Sequence, residues 1–339
     1  MSEEHLPNIP VFLSEAQNLE EKALSTKFRQ ITEAEMERIR LSNESSSPFS
    51  TVTASSLTSM KLNRYSDIIP FDRNRVKLHS KRGGNKTDYI NASYIEAPQK
   101  IRKYIATQGP LDNTIEDFWC MMWEQHSHVI VMLSKEHEKG KIKCSKYWPE
   151  SNGSPFVFPE LGLKVVIEGE ELEPNFSSLI RTFRLEKFNS QGGDDMVNSQ
   201  GGDGSPTSQS EDNNKKVRRV TQLYFVGWPD HGVPDSPDII LNLIKKTNQF
   251  QQKYQQEYGS DVEIGPAVIH CSAGCGRTGT FCTIDSCLAM LPQIASDDST
   301  DLIELLVKFF REQRRTMVQT LGQFQYCYLA VLSKLVVNK

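Results

Sequence analysis

The spacing of apolar residues changes several times along the chain. Residues 14–41 (SEAQNLEEKALSTKFRQITEAEMERIRL) are rich in helix formers, and Ser14 with Gln17 has the spacing of a capping box, so one or two helices are predicted there. Residues 42–59 are dominated by Ser and Thr with almost no large apolar side chains, which predicts a flexible connection and a candidate phosphorylation segment. From Lys61 onward short β-like runs appear, at 89–95 (YINASYI), 104–107 (YIAT) and 129–133 (VIVML). Between the second and third, Ile115, Phe118, Trp119 and Met122 recur at helical spacing within 114–125. Residues 163–168, 180–188 and 217–226 predict antiparallel strands, and 237–254 and 280–291 predict helices. The alternation predicts an α/β fold, a mixed, highly twisted β-sheet flanked by helices.

Residues 189–216 break this pattern. Asn-Ser-Gln-Gly-Gly-Asp occurs at 189–194 and again at 198–203, which predicts a low-complexity insertion at a hairpin tip. Loop-closure entropy grows only logarithmically, so an insertion there is cheap. The predicted organisation is therefore an N-terminal helical segment and Ser/Thr-rich connection over 1–60, then a main domain over 61–339 carrying that insertion.

Composition adds little against this reading. With 339 residues, 37% of them hydrophobic and 24% charged, the chain can bury a sizeable core. A net charge of −4 gives no argument for nucleic acid or membrane binding, neither of which is expected, and any anion recognition must be local. The seven cysteines are odd in number and scattered, poor material for a disulfide framework, which predicts a reducing compartment, the cytosol or the nucleus. No secretory signal opens the chain and no apolar run approaches the span of a bilayer, so membrane insertion is not expected.

The chemistry is concentrated in His270-Cys271-Ser272-Ala273-Gly274-Cys275-Gly276-Arg277-Thr278. An apolar run of strand type, 264–270, precedes it and a helical pattern follows from Thr278, so 271–277 must be a tight strand-to-helix turn. Gly274 and Gly276 allow the backbone angles such a turn demands. Its successive N–H groups and the helix N-terminus make a nest for a doubly charged oxyanion, and Arg277 adds a planar fork suited to two phosphate oxygens. The same field favours the thiolate of Cys271, which would attack phosphorus in line and form a phosphocysteine with no metal or other cofactor.

This segment resembles the His-Cys-x5-Arg-Ser/Thr signature of protein tyrosine phosphatases, phosphotyrosine-specific branch, with Cys271, Arg277 and Thr278 at its catalytic positions and 272–276 at its phosphate-binding ones. Other segments match in family order from about Lys61 to Leu335. Trp228-Pro-Asp-His-Gly-Val-Pro234 resembles the mobile loop whose aspartate, here Asp230, protonates the leaving phenolate and then activates water. Lys61-Leu-Asn-Arg-Tyr-Ser-Asp67 resembles the phosphotyrosine-recognition loop, which implies Tyr65 against the substrate ring and Asp67 on the peptide backbone. Residues 311–323 resemble the loop that positions the hydrolytic water, here through Gln319; the alternative is that Gln319 caps the last helix. The segments 88–93, 107–110 and 138–149 also match, and imply that Glu138 holds Arg277 and Lys143 approaches Asp230, solvated ion pairs being the alternative for each.

The resemblance implies phosphotyrosine-containing proteins as substrates and a monomeric enzyme. Its rivals are an inactive phosphotyrosine-binding module, a dual-specificity or lipid phosphatase, and a sulfur-transfer or arsenate-reducing enzyme. The first would lack one of Cys271, Arg277, Asp230 and Gln319, the second the tyrosine-recognition loop, and the third Asp230. His126 and His128 have no acidic or cysteine partner at ligand spacing and are read as loop and cap residues. Cys275 stays open between core packing and a redox partner for Cys271.

Overall fold

A computed structural model of the chain describes residues 9–18, 21–79, 87–173, 178–188, 216–229, 232–259, 261–294 and 299–337. The insertion read at 189–216 lies outside these except for Lys216, and so does Asp230.

Helices α1 (Val11–Asn18) and α2 (Glu21–Arg40) occupy the predicted N-terminal helical stretch. The capping box expected at Ser14 does not form. Ser14 lies inside α1 and its hydroxyl donates to Val11 O at 2.9 Å, because the helix already starts at Val11, after Pro10. The Ser/Thr-rich connection is also unlike its composition. Ser42, Thr51, Ala54 and Ser59 are each about 1% exposed or less. The hydroxyls of this stretch find partners inside the fold, which lets small polar residues pack where large apolar ones are absent; Ser42 Oγ donates to Ile39 O at 2.7 Å and Ser50 Oγ to Asp72 at 2.6 Å. A one-turn helix, α3 (Leu57–Met60), closes the stretch, with Ser56 accepting from Ser59 N as its cap.

One mixed sheet organises the described residues. Its strands are β1 (Arg75–Lys77), β2 (Tyr89–Glu96), β3 (Lys103–Thr107), β4 (Val129–Met132), β7 (Phe156–Phe158), β8 (Leu163–Glu173), β9 (Ser178–Lys187), β10 (Lys216–Phe225) and β11 (Ala267–His270), in the order β1-β2-β3-β11-β4-β10-β9-β8-β7. A separate two-stranded ribbon pairs β5 (His137–Glu138) with β6 (Lys141–Ile142). β11 sits between β3 and β4, parallel to both, and β10 is parallel to β4, whereas the outer pairs are antiparallel. The strand expected over 264–270 is shorter than its apolar run, and α6 (Gly276–Met290) begins before Thr278.

The helices cover both faces of the sheet, which is why its central strands are apolar throughout. Alternate residues feed two cores: Val129, Val131, Ala267 and Ile269 face the layer of α5 (Pro237–Tyr258), α6, α7 (Leu302–Arg311) and α8 (Leu321–Val337). Ile130, Met132 and Val268 face the layer of α4 (Ile115–Glu124) with Trp119 and Tyr147. The parallel strands β3, β11 and β4 end side by side at Thr107, His270 and Met132, and the crevice beyond such strand ends is where open α/β sheets hold ligands.

Candidate active site

Period-two alternation continues through the end of β11: His270 turns toward the α4 layer and Cys271 toward the α6 layer. The chain then reverses into α6. Gly274 has φ +71°, and a Cβ there would lie 2.0 Å from Thr107 O, so both the backbone angle and the space require glycine. The turn brings Gly274 N to 3.3 Å and Thr278 Oγ1 to 3.4 Å from Cys271 Sγ, both as donors, and Cys271 is 5% exposed. Both donors converge on the sulfur beside the N-terminus of α6.

Arg277 leaves the first turn of α6 and forks onto Glu138 in the β5–β6 ribbon. Nη1 donates to Oε1 at 2.6 Å and Nη2 to Oε2 at 3.0 Å, and the guanidinium also reaches Leu133 O at 3.0 Å and Pro229 O at 3.2 Å. The Arg277 side chain is 13% exposed and the Glu138 side chain 5%, which excludes the solvated-pair alternative for this contact. Lys143 lines the same cleft, and the approach to Asp230 inferred for it falls outside the described residues. Of the loop expected to carry the acid, Pro229 and Gly232 line the cleft, and Trp228 Nε1 donates to Gly232 O at 3.2 Å.

The cleft has a volume of about 360 Å³ and gathers Tyr65, Asp67, Ser272, Ala273, Cys275, Gly276 and Gln319 around Cys271 and Arg277. Residues as far apart in sequence as Tyr65 and Gln323 thus share one opening. Tyr65 Oη and Ser272 Oγ are 2.9 Å apart at its wall. Of the expected site residues, His270, Gly274 and Thr278 do not line the cleft. His270 lies beneath it, with Nε2 2.8 Å from Tyr147 Oη and Nδ1 3.2 Å from Cys271 O. Gln222 Nε2 donates to the Tyr147 oxygen at 2.6 Å, so the tyrosine hydroxyl is free to donate to His270, which sets His270 Nδ1–H toward the nucleophile's carbonyl. Burial pushes the His270 pKa down to about 4, the imidazole being held neutral. Burial also pushes the Cys275 thiol up to about 12, with Cys271 adding to the effect.

Several residues that position the site were quoted in motifs without a role. Arg314, fully buried, donates to Gly274 O at 2.7 Å and Ala273 O at 2.9 Å, and to Asn91 and Ser93 in β2. It ties two carbonyls of the 271–277 turn to β2 through one guanidinium. Arg64 binds Gly109 O and Pro110 O, and Gln108 bonds both Arg64 N and Leu62 O, fixing the loop that carries Tyr65. Gln323 accepts from Gln319 N at 2.8 Å and lines the cleft. Arg314 sits in the polar run Arg311-Glu-Gln-Arg-Arg-Thr316, so no local pattern in the sequence singles it out from its neighbours. His126 is exposed in the turn after α4, beside Arg218, and His128 is buried and stacked near Tyr254 and Tyr258.

With this geometry in hand, likeness to known proteins is informative. The protein-tyrosine phosphatase family model matches residues 59–333. The chain is 36% identical over 283 residues to human tyrosine-protein phosphatase non-receptor type 12, covering 84% of this chain and 31% of that protein. It is 34% identical over 271 residues to the rat non-receptor type 2 enzyme, covering 80% of this chain and 55% of that protein. The chain thus spans about half or less of the length of these curated relatives. Among solved structures, the catalytic domain of human protein tyrosine phosphatase non-receptor type 18 superposes with a TM-score of 0.73 at 30% identity, over 95% of this chain and 99% of that one. PTPN18 in complex with HER2-pY1196 phosphopeptides superposes with a TM-score of 0.75 at 29% identity, over 97% and 99%. Matched along most of its length by the family model, and carrying the family's mixed twisted sheet, the chain belongs to the protein-tyrosine phosphatases.

Proposed function

We propose that this protein hydrolyses phosphotyrosine in protein substrates through a phosphocysteine on Cys271. The observation that carries the reading is the seat of Cys271. Its sulfur receives the Gly274 N–H and the Thr278 hydroxyl at the base of a cleft walled by Tyr65 and Arg277. In the first step the sulfur attacks phosphorus, the S–P bond forms, the bond to the tyrosine oxygen breaks, and Asp230 supplies the proton that oxygen needs. Arg277, held by Glu138, and the N–H groups of residues 272–276 carry the charge on the phosphoryl oxygens. In the second step a water oriented by Gln319 attacks phosphorus, its proton passes to Asp230, and the S–P bond breaks.

The depth of the cleft supports tyrosine over serine, because a phosphoserine is too short to bring its phosphorus to a buried sulfur. Asp67, on the rim, is assigned to the substrate backbone, and Lys143 to Asp230. The phosphopeptide complex of the PTPN18 structure supports phosphotyrosine peptides as the substrate class. The reading takes 61–339 as the catalytic domain, with the insertion at its surface, working as a monomer. Seven free cysteines support a cytoplasmic location. Among the described residues no helix is long and apolar enough to cross a membrane.

The test is turnover of phosphotyrosine and phosphoserine peptides by wild type, Cys271→Ser and Asp230→Ala, with a chelator present. Loss of turnover in both variants with phosphotyrosine-peptide binding retained is the expected result. Equal rates on phosphoserine would overturn the tyrosine assignment.

A further inference from the structure

The loop between α7 and α8, which carries Gln319, is held from outside the span that the family model matches. Thr316 and Val318 both have positive φ, 61° and 60°. Both are β-branched, the residue type that tolerates this region worst, so the conformation persists only where its surroundings impose it. One ion pair supplies much of that hold. Glu35 Oε1 accepts from Thr316 N at 2.5 Å, and Glu35 Oε2 meets Arg311 Nη1 at 3.0 Å. Arg311 in turn donates to Met317 O at 3.0 Å and Val318 O at 2.6 Å. Each of the three residues immediately before Gln319 thereby has one backbone group held by Glu35 or its partner. Both side chains are buried, Glu35 at 4% and Arg311 at 1% exposure, so the pair is sheltered from solvent screening.

Glu35 belongs to α2, whose face of Leu24, Phe28, Ile31 and Glu35 packs on α7 and α8; Phe28 lies under the Arg311 guanidinium and against Phe324. The loop it holds is wedged against the phosphate loop. Val318 N donates to Cys275 O at 3.3 Å, and a Cβ on Gly279 would lie 2.3 Å from Val318 N. A Cβ on Gly276 would lie 3.1 Å from Gln319 Oε1, which sets the glutamine amide beside the start of α6. A shift of residues 316–318 would therefore move Gln319 relative to Cys271 and leave Cys271 itself, anchored by Arg314 and β11, in place.

We infer that Glu35 is a positioning residue for the Gln319 loop, and that α2, which precedes the span matched by the family model, is part of the catalytic unit. The inference rests on the proposed phosphocysteine mechanism and assigns Glu35 to its second step. Loss of Glu35 should slow hydrolysis of the phosphoenzyme far more than its formation.

Rapid mixing with p-nitrophenyl phosphate separates the two steps, because the burst of nitrophenolate counts competent sites and the later slope reports turnover. For Glu35→Gln the burst rate should stay within about twofold of wild type, turnover per burst site should fall about tenfold, and acid quench should trap more phosphate on Cys271. Glu35→Asp should fall between. Adding Thr316→Gly, which accepts the positive φ without steric cost, should restore part of the turnover. Normalising to the burst removes unfolded protein from the comparison, so lowered stability alone changes neither quantity. Turnover per burst site equal to wild type in Glu35→Gln would overturn the inference and leave the mechanism standing. Wild type with no turnover and no phosphate on Cys271 would overturn both.

Discussion

Arg277 and Glu138 meet as a two-point fork, Nη1 to Oε1 at 2.6 Å and Nη2 to Oε2 at 3.0 Å, and this fork aims the guanidinium over the thiol loop. Glu138 sits in a two-residue strand of a separate ribbon, so a side chain remote from the phosphate loop decides the orientation of the group assigned to phosphate. Removing Glu138 leaves Arg277 with Leu133 O and Pro229 O, which do not match its planar fork. A hydrogen bond to a charged group is worth about 1.5–3 kcal/mol. Glu138→Gln is expected to lower kcat/KM for a phosphotyrosine peptide about tenfold to a hundredfold, measured by steady-state kinetics with folded protein checked by circular dichroism.

Gly274 and Gly140 have nearly the same backbone angle, φ 71° and 73°, and opposite surroundings. A Cβ at Gly140 meets nothing within 4 Å, whereas one at Gly274 meets the backbone of Thr107 and Gln108. Gly140→Ala is expected to cost only the angular strain, about 1–2 kcal/mol. Gly274→Ala should cost clearly more and abolish turnover, because strand β3 cannot retreat from a central position in the sheet. Denaturant midpoints of the two variants test the contrast.

His270 is neutral and buried, with its pKa pushed from an ordinary 6.5 down to about 4. Between those values the unfolded chain binds a proton that the folded chain refuses. The contribution is fully present above pH 6.5 and is lost as pH falls from 6.5 toward 4, roughly 3 kcal/mol in all. His128, also lowered to about 4 by burial, acts in the same direction. Wild type should therefore lose stability below pH 6.5 more steeply than His270→Asn, whatever the offset between them at pH 7.5. Parallel urea midpoints from pH 7.5 to 4.5 would contradict this.

Both cysteines border the cleft, but Cys275 is fully buried with its thiol pushed up to about 12, whereas Cys271 is 5% exposed with two donors on its sulfur. Iodoacetate at pH 7 should modify Cys271 in the native protein and leave Cys275 unlabelled; Cys271→Ser should take up no label in this loop until it is unfolded. Mass spectrometry of the 271–277 peptide reads the outcome. Native labelling of Cys275 in Cys271→Ser would show a reactive second thiol.

What the amino-acid sequence determined by itself was local. Apolar alternation located β2, β3, β4 and α4 within a residue or two, because burial on both sides of a sheet leaves a strong short-range pattern. The glycines of 270–278 specified a tight strand-to-helix turn, since turn geometry is a property of neighbouring residues. Composition misled at 42–59, where Ser42 and Thr51 pack because Arg315 reaches them from more than 260 positions away. Only the tertiary structure decided that the Glu138–Arg277 pair implied by the resemblance is a buried fork, that Arg314 draws the loop's carbonyls aside, and that Glu35 grips the backbone before Gln319. Each of these is a pairing of polar groups inside the fold, and such pairings carry no periodicity. They arise because a buried charge must find a partner, and which partner stands opposite is set by how strands and helices stack.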